Sequence, residues 1–472
     1  MDKETGFLKV ARAKSATVLA ALTSLLAVAC AQERAGITVD PSVRHQIMRG
    51  WEVTTDMSDD DHPEAVGLYQ EQVYDMAVSD VGIDRVRLEI RSGAENQNGA
   101  WKKFVAGQIS YQDWRPLRYT TVNDNDDANV INWAGFDFSE LDENIDRVLL
   151  PLKSRIEQRG ERLFINLCYV AFTDQITNGG YDHDRPEEYG EFVLATYLHL
   201  QEKYGFTPDS WEVLLEPDNG QKQWNPTVMG KAIAAASRRL KENGFTPAFV
   251  APSTMDMARA VPWIEEIAKI PGAMENIVEF SYHRYHNSNA ENAKAIRAAG
   301  ERFGKPTGML EWWFGNGTYE VLREDIIDAG NAAWQGQVLR TLFAVDFADP
   351  NKPAVSIATD TRMNLQYFHN VRRGAQRIGA ESTDPGNTRP VAFINPDKSY
   401  AIIADTKGPV TMTIRGIPAG QYTVSYALQD RSVVEPAPVK TDVNSEITVR
   451  MPGRGVITVS SFKSTVGQPQ SR

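Results

Sequence analysis

From about Gly50 to Gln376 short apolar runs alternate with longer amphipathic ones, the pattern of strands each followed by a helix around a parallel sheet. The strand candidates are Gly50 to Thr54, Arg85 to Ile90, Leu163 to Val170, Trp211 to Glu216, Ala248 to Ala251, Ile277 to His283, Thr307 to Trp312 and Ala354 to Ala358. Helix limits between them have mechanical causes. Asn225 suits an N-cap, Pro226 the first helical turn, and Gly244 a left-handed C-terminus. Gly160 closes the helix that starts near Ser139 in the same way. Eight strand-helix units in about 330 residues predict an α/β fold of the (β/α)8 TIM-barrel kind rather than a doubly wound sheet. No Gly-x-Gly-x-x-Gly stands between a strand and a helix to hold a dinucleotide.

One connection, from about Arg91 to Phe138, is long and contains Trp101, Trp114, Trp133 and the acidic stretch NDNDD. Following the second strand, it belongs to the active-site face of a barrel, where its tryptophans are expected to shape a cleft. Asp124, Asp126 and Asp127 lack the glycine and distal glutamate of an EF-hand loop and read as a solvated acidic loop. After about Glu381 the period changes to two: VAFIN, SYAIIAD, VTMTIRG, QYTVSYAL, EITVRM and GVITVSS. Six short strands split by turn residues predict a C-terminal antiparallel β-sandwich. The segment Gly36 to Met48 is a candidate to join it.

Residues 1 to 14 carry Lys3, Lys9, Arg12 and Lys14, and the uncharged run SATVLAALTSLLAVAC follows. At about 16 residues the run is shorter than the roughly 20 that a spanning helix needs, and Ala27-Val28-Ala29 supplies a small-x-small cleavage pattern. The stretch reads as an export leader in one of two forms: a signal peptide cleaved after Ala29 or Ala31, or a lipoprotein leader with Cys30 acylated. Either sends the mature chain to the periplasm, the cell surface or the medium. The expected divisions are a leader (1–31), a strand segment (32–49), a barrel (50–380), a sandwich (381–463) and a tail (464–472).

Composition narrows the partners. Of 472 residues 42% are hydrophobic and 24% charged, enough to bury a sizeable core. Lys plus Arg number 50 against 62 Asp plus Glu, and the formal charge of -12 repels phosphate backbones and anionic membrane surfaces. Nucleic acid is not an expected partner, and a lipid on Cys30 is the one expected link to a membrane. With two cysteines, Cys30 and Cys168, there is no disulfide framework or zinc ribbon. Cys168, inside LFINLCYV, reads as a small buried hydrophobe.

Catalytic groups of a barrel sit at the C-terminal ends of its strands. Glu216 ends the fourth strand in WEVLLEPDNG and Glu311 the seventh in TGMLEWWFG. Both follow apolar runs, where an ionised side chain is costly unless it faces the barrel mouth. Two carboxyl groups on facing strands can address one glycosidic bond, at about 5–5.5 Å for a retaining enzyme and about 6.5–9.5 Å for an inverting one.

These residues resemble the retaining glycoside hydrolases of clan A, nearest to glycoside hydrolase family 30. The resemblance rests on the Glu-Pro of LLEPDN, His283-x-Tyr285 in SYHRYHN, Glu311 in MLEWW, Arg87 in RVRLE, and YFHNVRRGAQRIGAES leading into the sandwich. It spans about Ile37 to Ser461. The resemblance implies that Glu311 is the nucleophile and Glu216 the acid/base, with a charged Glu311 raising the pKa of Glu216. It also implies that Tyr285 hydrogen-bonds the nucleophile while Arg87 and His283 hold the carboxylates ionised and oriented. Asn219 and Trp224 are expected as sugar contacts and Trp312 or Trp313 as a stacking surface, since both cannot face inward on a regular strand. Two departures stand out: Leu215 replaces the asparagine usual before the acid/base, and VSIATDTRMN, read as the eighth strand's end, lacks the usual tryptophan.

The expected function is therefore hydrolysis of β-glycosidic bonds in a polysaccharide or oligosaccharide, with no cofactor and no metal. The alternative is a catalytically inactive carbohydrate-binding surface protein on the same barrel. A metal-dependent barrel hydrolase would need His-x-His after the first strand, which reads GWEVTTD, and His283 and His286 have no carboxylate ligand beside them in sequence.

Overall fold

The computed structural model describes residues 33–59, 61–430 and 433–461. The leader with Cys30 and the tail at 464–472 lie outside the described residues. After β1 (Arg34–Ile47), eight parallel strands close into a barrel: β2 (Gly50–Thr54), β3 (Arg85–Arg91), β4 (Phe164–Val170), β5 (Ser210–Glu212), β6 (Phe249–Asp256), β7 (Ile277–His286), β8 (Thr307–Glu311) and β9 (Asn331–Trp334). β9 returns to β2 through Gly50 opposite Ala333 and Trp51 opposite Trp334. All seven residues of β4 are buried, which is why FINLCYV shows no alternation: helices cover one face and the barrel interior the other.

That interior is charged. Arg85 on β3 reaches across to Glu279 on β7, donating to both carboxylate oxygens at 2.8 Å, and also donates to Glu52 on β2. Arg49 approaches Glu279 Oε2 at 2.9 Å. Gly308 on β8 leaves room for this cluster, since a Cβ there would lie 2.9 Å from Glu279 Oε1. Burial pushes the carboxyl of Glu52 up to about 7 against the pull of Arg85.

The eighth strand is Asn331–Trp334, not Ala354 to Ala358. NAAW is only four residues long and rich in alanine, so it carries little strand signal, yet all four residues are buried. Ala354–Ile357 (β11) pairs antiparallel with β10 (Phe343–Asp346) in a two-stranded ribbon, its residues alternately exposed and half-buried, which no barrel strand permits. The long connection after β3 holds two short helices, Ala100–Val105 and Tyr111–Leu117, the second capped by Ser110 and Asp113. Trp114 is buried there, stacked on Phe104 at 4.4 Å with Arg118 over its face, so it fills this subdomain rather than a cleft. Asp126 and Asp127 are exposed, as a solvated loop requires.

The strands of the C-terminal domain begin at Gln376, ahead of the expected 381, because residues from Gln376 to Ser382 pair with β1. Its strands are β12 (Gln376–Ser382), β13 (Thr388–Ile394), β14 (Tyr400–Thr406), β15 (Val410–Arg415), β16 (Gln421–Leu428), β17 (Val433–Lys440), β18 (Ile447–Met451) and β19 (Gly455–Ser460). Their order is β17-β16-β19-β14-β13-β12-β1-β15-β18. β17 escaped the period-two pattern because VVEPAPVK carries two prolines, which an edge strand tolerates. Pairing is antiparallel except between β1 and β15, where β1 arrives from the chain start and no hairpin fixes its direction. Ile37, Val39, Ile378, Ile402, Met412 and Ile457 help fill a core separate from the barrel's. Gln46 on β1 binds the carbonyls of Ile326 and Asn331, and Ser425 on β16 binds Gln366, tying the two domains together.

Candidate active site

β5 ends at Glu212, but Val213 N donates to Val250 O at 3.0 Å and Leu215 N to Tyr169 O at 2.9 Å, so the chain stays laced to both neighbours up to the next residue. Glu216 then takes a left-handed backbone, φ 47°, and donates its N–H to Ser253 O at 3.1 Å. Such a conformation costs on the order of 1–3 kcal/mol in a non-glycine residue and persists only where surrounding bonds impose it. Gln221 Nε2 supplies one, to Leu215 O at 3.0 Å. On the other side a register shift between Tyr282 and His283 brings His283 opposite Glu311 on β8.

The side chains converge. An oxygen of Glu216, a ring nitrogen of His283 and an oxygen of Glu311 all lie within 4.8 Å of one another. Glu216 Oε1 is 3.0 Å from His283 Nδ1, and its Oε2 accepts from Asn219 Nδ2 at 2.8 Å. Glu311 Oε2 accepts from Arg87 Nη2 at 2.6 Å and its Oε1 from the Tyr285 hydroxyl at 2.9 Å. Arg87 also meets Glu89 at 3.2 Å. Both glutamates are buried except for a rim, each 5% exposed.

Burial raises Glu311 above the usual carboxylate range and Glu216's charge adds to this, against the pull of Arg87 and His283. Burial also acts upward on Glu216, but the hydrogen bond and charge of His283 and the amide of Asn219 outweigh it, and Glu216 titrates below its usual range. The expected elevation of Glu216 by Glu311 is thus overridden by a neighbour. His283 itself is pulled down by burial and lifted further by Glu216 and Glu311, so its net movement is upward. The contact between the two thus favours the carboxylate of Glu216 and the protonated form of His283. Burial and Glu311 push the Tyr285 phenol up, keeping it a donor.

The structure places the expected sugar contacts as follows. Trp224 is buried, donating from Nε1 to the Tyr181 hydroxyl at 2.7 Å and packing edge-on to Tyr189. Asn219 is half-buried and binds Glu216. Trp312 turns outward over Arg284, 5.0 Å from its guanidinium, and packs against the barrel core. Trp313 takes the inward place: Arg87 stands 5.2 Å from its ring centroid, and its backbone N–H donates to the Tyr285 hydroxyl at 3.4 Å. Leu215 packs with Tyr119, Cys168 and Val170.

Gln335 was not foreseen. Buried just past β9, it donates to Glu52 Oε1 at 3.0 Å and accepts from Trp313 Nε1 at 3.3 Å in the amide orientation that satisfies both neighbours, linking the charged interior to the site. Placing the eighth strand correctly would have found it, since Gln335 directly follows that strand. The same correction supplies a tryptophan at the strand end, Trp334, but its Nε1 donates to buried Asp325 at 3.0 Å, away from the carboxyl pair.

A wider hollow of about 800 Å³ lies apart from these residues, lined by Trp133, Phe138, Asp142, His199 and Lys203 among others. Among the described residues Glu216, His283 and Glu311 form the one group of three acidic or histidine side chains with donor atoms this close. The donor set does not suit a cation, because the Arg87 guanidinium already places a fixed positive charge 2.6 Å from Glu311. No helix among the described residues is long and apolar enough to cross a membrane.

Residues 374–459 match the family model of the glycosyl hydrolase family 30 β-sandwich domain. No curated protein matches the chain. Among solved structures, the catalytic domain of a GH30 xylanase C from Talaromyces cellulolyticus is similar over 90% of this chain and 99% of its own, with TM-score 0.63 and 15% identity. A GH30 endoxylanase from Clostridium papyrosolvens is similar over the same shares, with TM-score 0.62 and 15% identity. An endo-β1,6-glucanase is similar over 90% of this chain and 94% of its own, with TM-score 0.61 and 14% identity. The resemblance read from the motifs holds in the sequence of the sandwich and in the fold of both domains.

Proposed function

We propose that this chain is a retaining glycoside hydrolase acting on β-linked glycans, with Glu311 as nucleophile and Glu216 as acid/base. The observation that carries the reading is the approach of the two carboxyls, an oxygen of each within 4.8 Å. That is nearer the about 5–5.5 Å of retaining enzymes than the about 6.5–9.5 Å of inverting ones.

The chemistry follows from the bonds around each group. Glu311 attacks the anomeric carbon as the bond to the leaving oxygen breaks, and the proton of Glu216 passes to that oxygen. Water then gives a proton to Glu216 and attacks the same carbon, releasing Glu311. The proton for the first step comes along the 3.0 Å hydrogen bond from His283, which leaves His283 neutral and Glu216 uncharged. Arg87 and the Tyr285 hydroxyl, both hydrogen-bonded to Glu311, favour its carboxylate. Leu215 supplies no amide to a sugar 2-hydroxyl, so Asn219, already on Glu216, is the nearest substitute. An exported location, as read from the leader, suits a polymeric substrate.

The test is hydrolysis of a panel of aryl β-glycosides and β-glycans, including xylan and β1,6-glucan, by the wild type, Glu311→Ala and Glu216→Ala. Turnover that Glu311→Ala abolishes supports the reading. Glycan binding without turnover in the wild type would overturn it in favour of a carbohydrate-binding protein.

A further inference from the structure

We propose that Phe314 is a stacking platform for the pyranose ring adjoining the one held between Glu216 and Glu311, so that the site takes a chain of sugars rather than a single one. The inference rests on the glycosidase reading above. Phe314 lies three residues past Glu311 in EWWFGNG. It is 86% exposed and its φ is 61°, followed by φ 78° at Gly315. Asn316 N closes the turn on Trp313 O at 3.3 Å. Two successive positive φ values are the mark of a type I′ turn, whose first central position favours Asn, Asp or Gly. A large aromatic there is strained and here gains no compensating burial.

Nothing among the described residues repays that arrangement. Among the described residues the one aromatic neighbour of Phe314 is Trp313, edge-on at 6.5 Å. Yet the turn is held firmly from behind. Gly317 presses on the backbone of Gly336, where a Cβ would come within 2.6 Å, and Gly317 O accepts from buried Asn364 at 2.9 Å. A firmly held turn at the catalytic rim therefore presents an apolar ring to solvent, directly after the indole that lies over Arg87. The exposed feature is one ring wide and flanked by Gly315 and Asn316, which matches the face of a sugar ring rather than a protein interface.

The test compares kcat/KM for a β-linked oligosaccharide with that for the corresponding glycosyl fluoride, whose leaving group is one atom. For Phe314→Ala the ratio of oligosaccharide to fluoride should fall about five- to tenfold, mostly through KM, and Phe314→Trp should restore it. Phe314→Gly should show the same loss with Tm unchanged or raised, because glycine accepts the positive φ. Turnover of the fluoride with an unaltered ratio in Phe314→Ala would overturn the platform and leave the glycosidase reading standing. A lowered Tm in Phe314→Gly would also overturn it by showing a structural role. Absence of wild-type turnover on both substrates would overturn the two readings together.

Discussion

His283 Nδ1 lies 3.0 Å from Glu216 Oε1, while its other ring nitrogen is buried with no hydrogen-bond partner among the described residues. The imidazole is therefore set by carboxylates alone: burial pulls its pKa down and Glu216 and Glu311 lift it further. Replacing Glu311 by Gln removes one lifting charge. The titration of His283, followed by 15N NMR of labelled imidazole, should move to lower pH in Glu311→Gln. An unmoved midpoint would show that His283 does not sense the proposed nucleophile.

The reverse coupling predicts a shift in activity. Glu216's charge raises Glu311, so in Glu216→Gln the carboxyl of Glu311 should ionise at lower pH. With an aryl β-glycoside whose leaving group needs no protonation, the acid limb of kcat/KM should move down. An upward movement would contradict the sign of the coupling.

Arg87 binds Glu311 through one guanidinium nitrogen at 2.6 Å and reaches Glu89 at 3.2 Å with the same group. A lysine ammonium cannot reproduce the planar fork that also lies over Trp313. Arg87→Lys should lower kcat by about 10²-fold, a magnitude typical for removal of one preorganised charge contact. A loss under about threefold would remove Arg87 from the account.

Glu52 gives a pH dependence of stability independent of catalysis. Its folded pKa is raised to about 7 by burial, above the unfolded value, so the stability it contributes is present at acid pH and lost as pH rises through about 7. Between about pH 5 and 7 this one group should lower stability by on the order of 1.4 kcal/mol per pH unit. Denaturant unfolding across that window should show this downward component in the wild type and its absence in Glu52→Gln. Equal slopes would contradict it.

The parts legible in the sequence were those fixed by local chemistry or by burial on both faces. Seven barrel strands announced themselves as apolar runs, and Asn225 caps its helix through bonds to Thr227 N and Val228 N as its side chain predicts. The eighth did not, because Asn331–Trp334 is short and alanine-rich while Ala354–Ile357 has more β-branched character in a solvated ribbon. The site showed the same division. Glu216, His283, Tyr285 and Glu311 sit where strand ends put them, but the choice of Trp313 over Trp312 depends on the irregular chain at the end of β8. Trp224 looked like a contact because it follows Glu216 closely, and only the tertiary packing on Tyr181 and Tyr189 shows it buried. The placing of His283 opposite Glu311 depends on a cross-strand register shift that no spacing reveals.

The central claim is double displacement at the carboxyl pair, and the anomeric form of the first product tests it most directly. Hydrolysis of whichever aryl β-glycoside in the panel is turned over should be followed by 1H NMR faster than mutarotation. The account predicts that the β-anomer of the free sugar appears first, with the α-anomer growing in later. Initial release of the α-anomer would mean single displacement by water and would contradict the assignment of Glu311 as nucleophile.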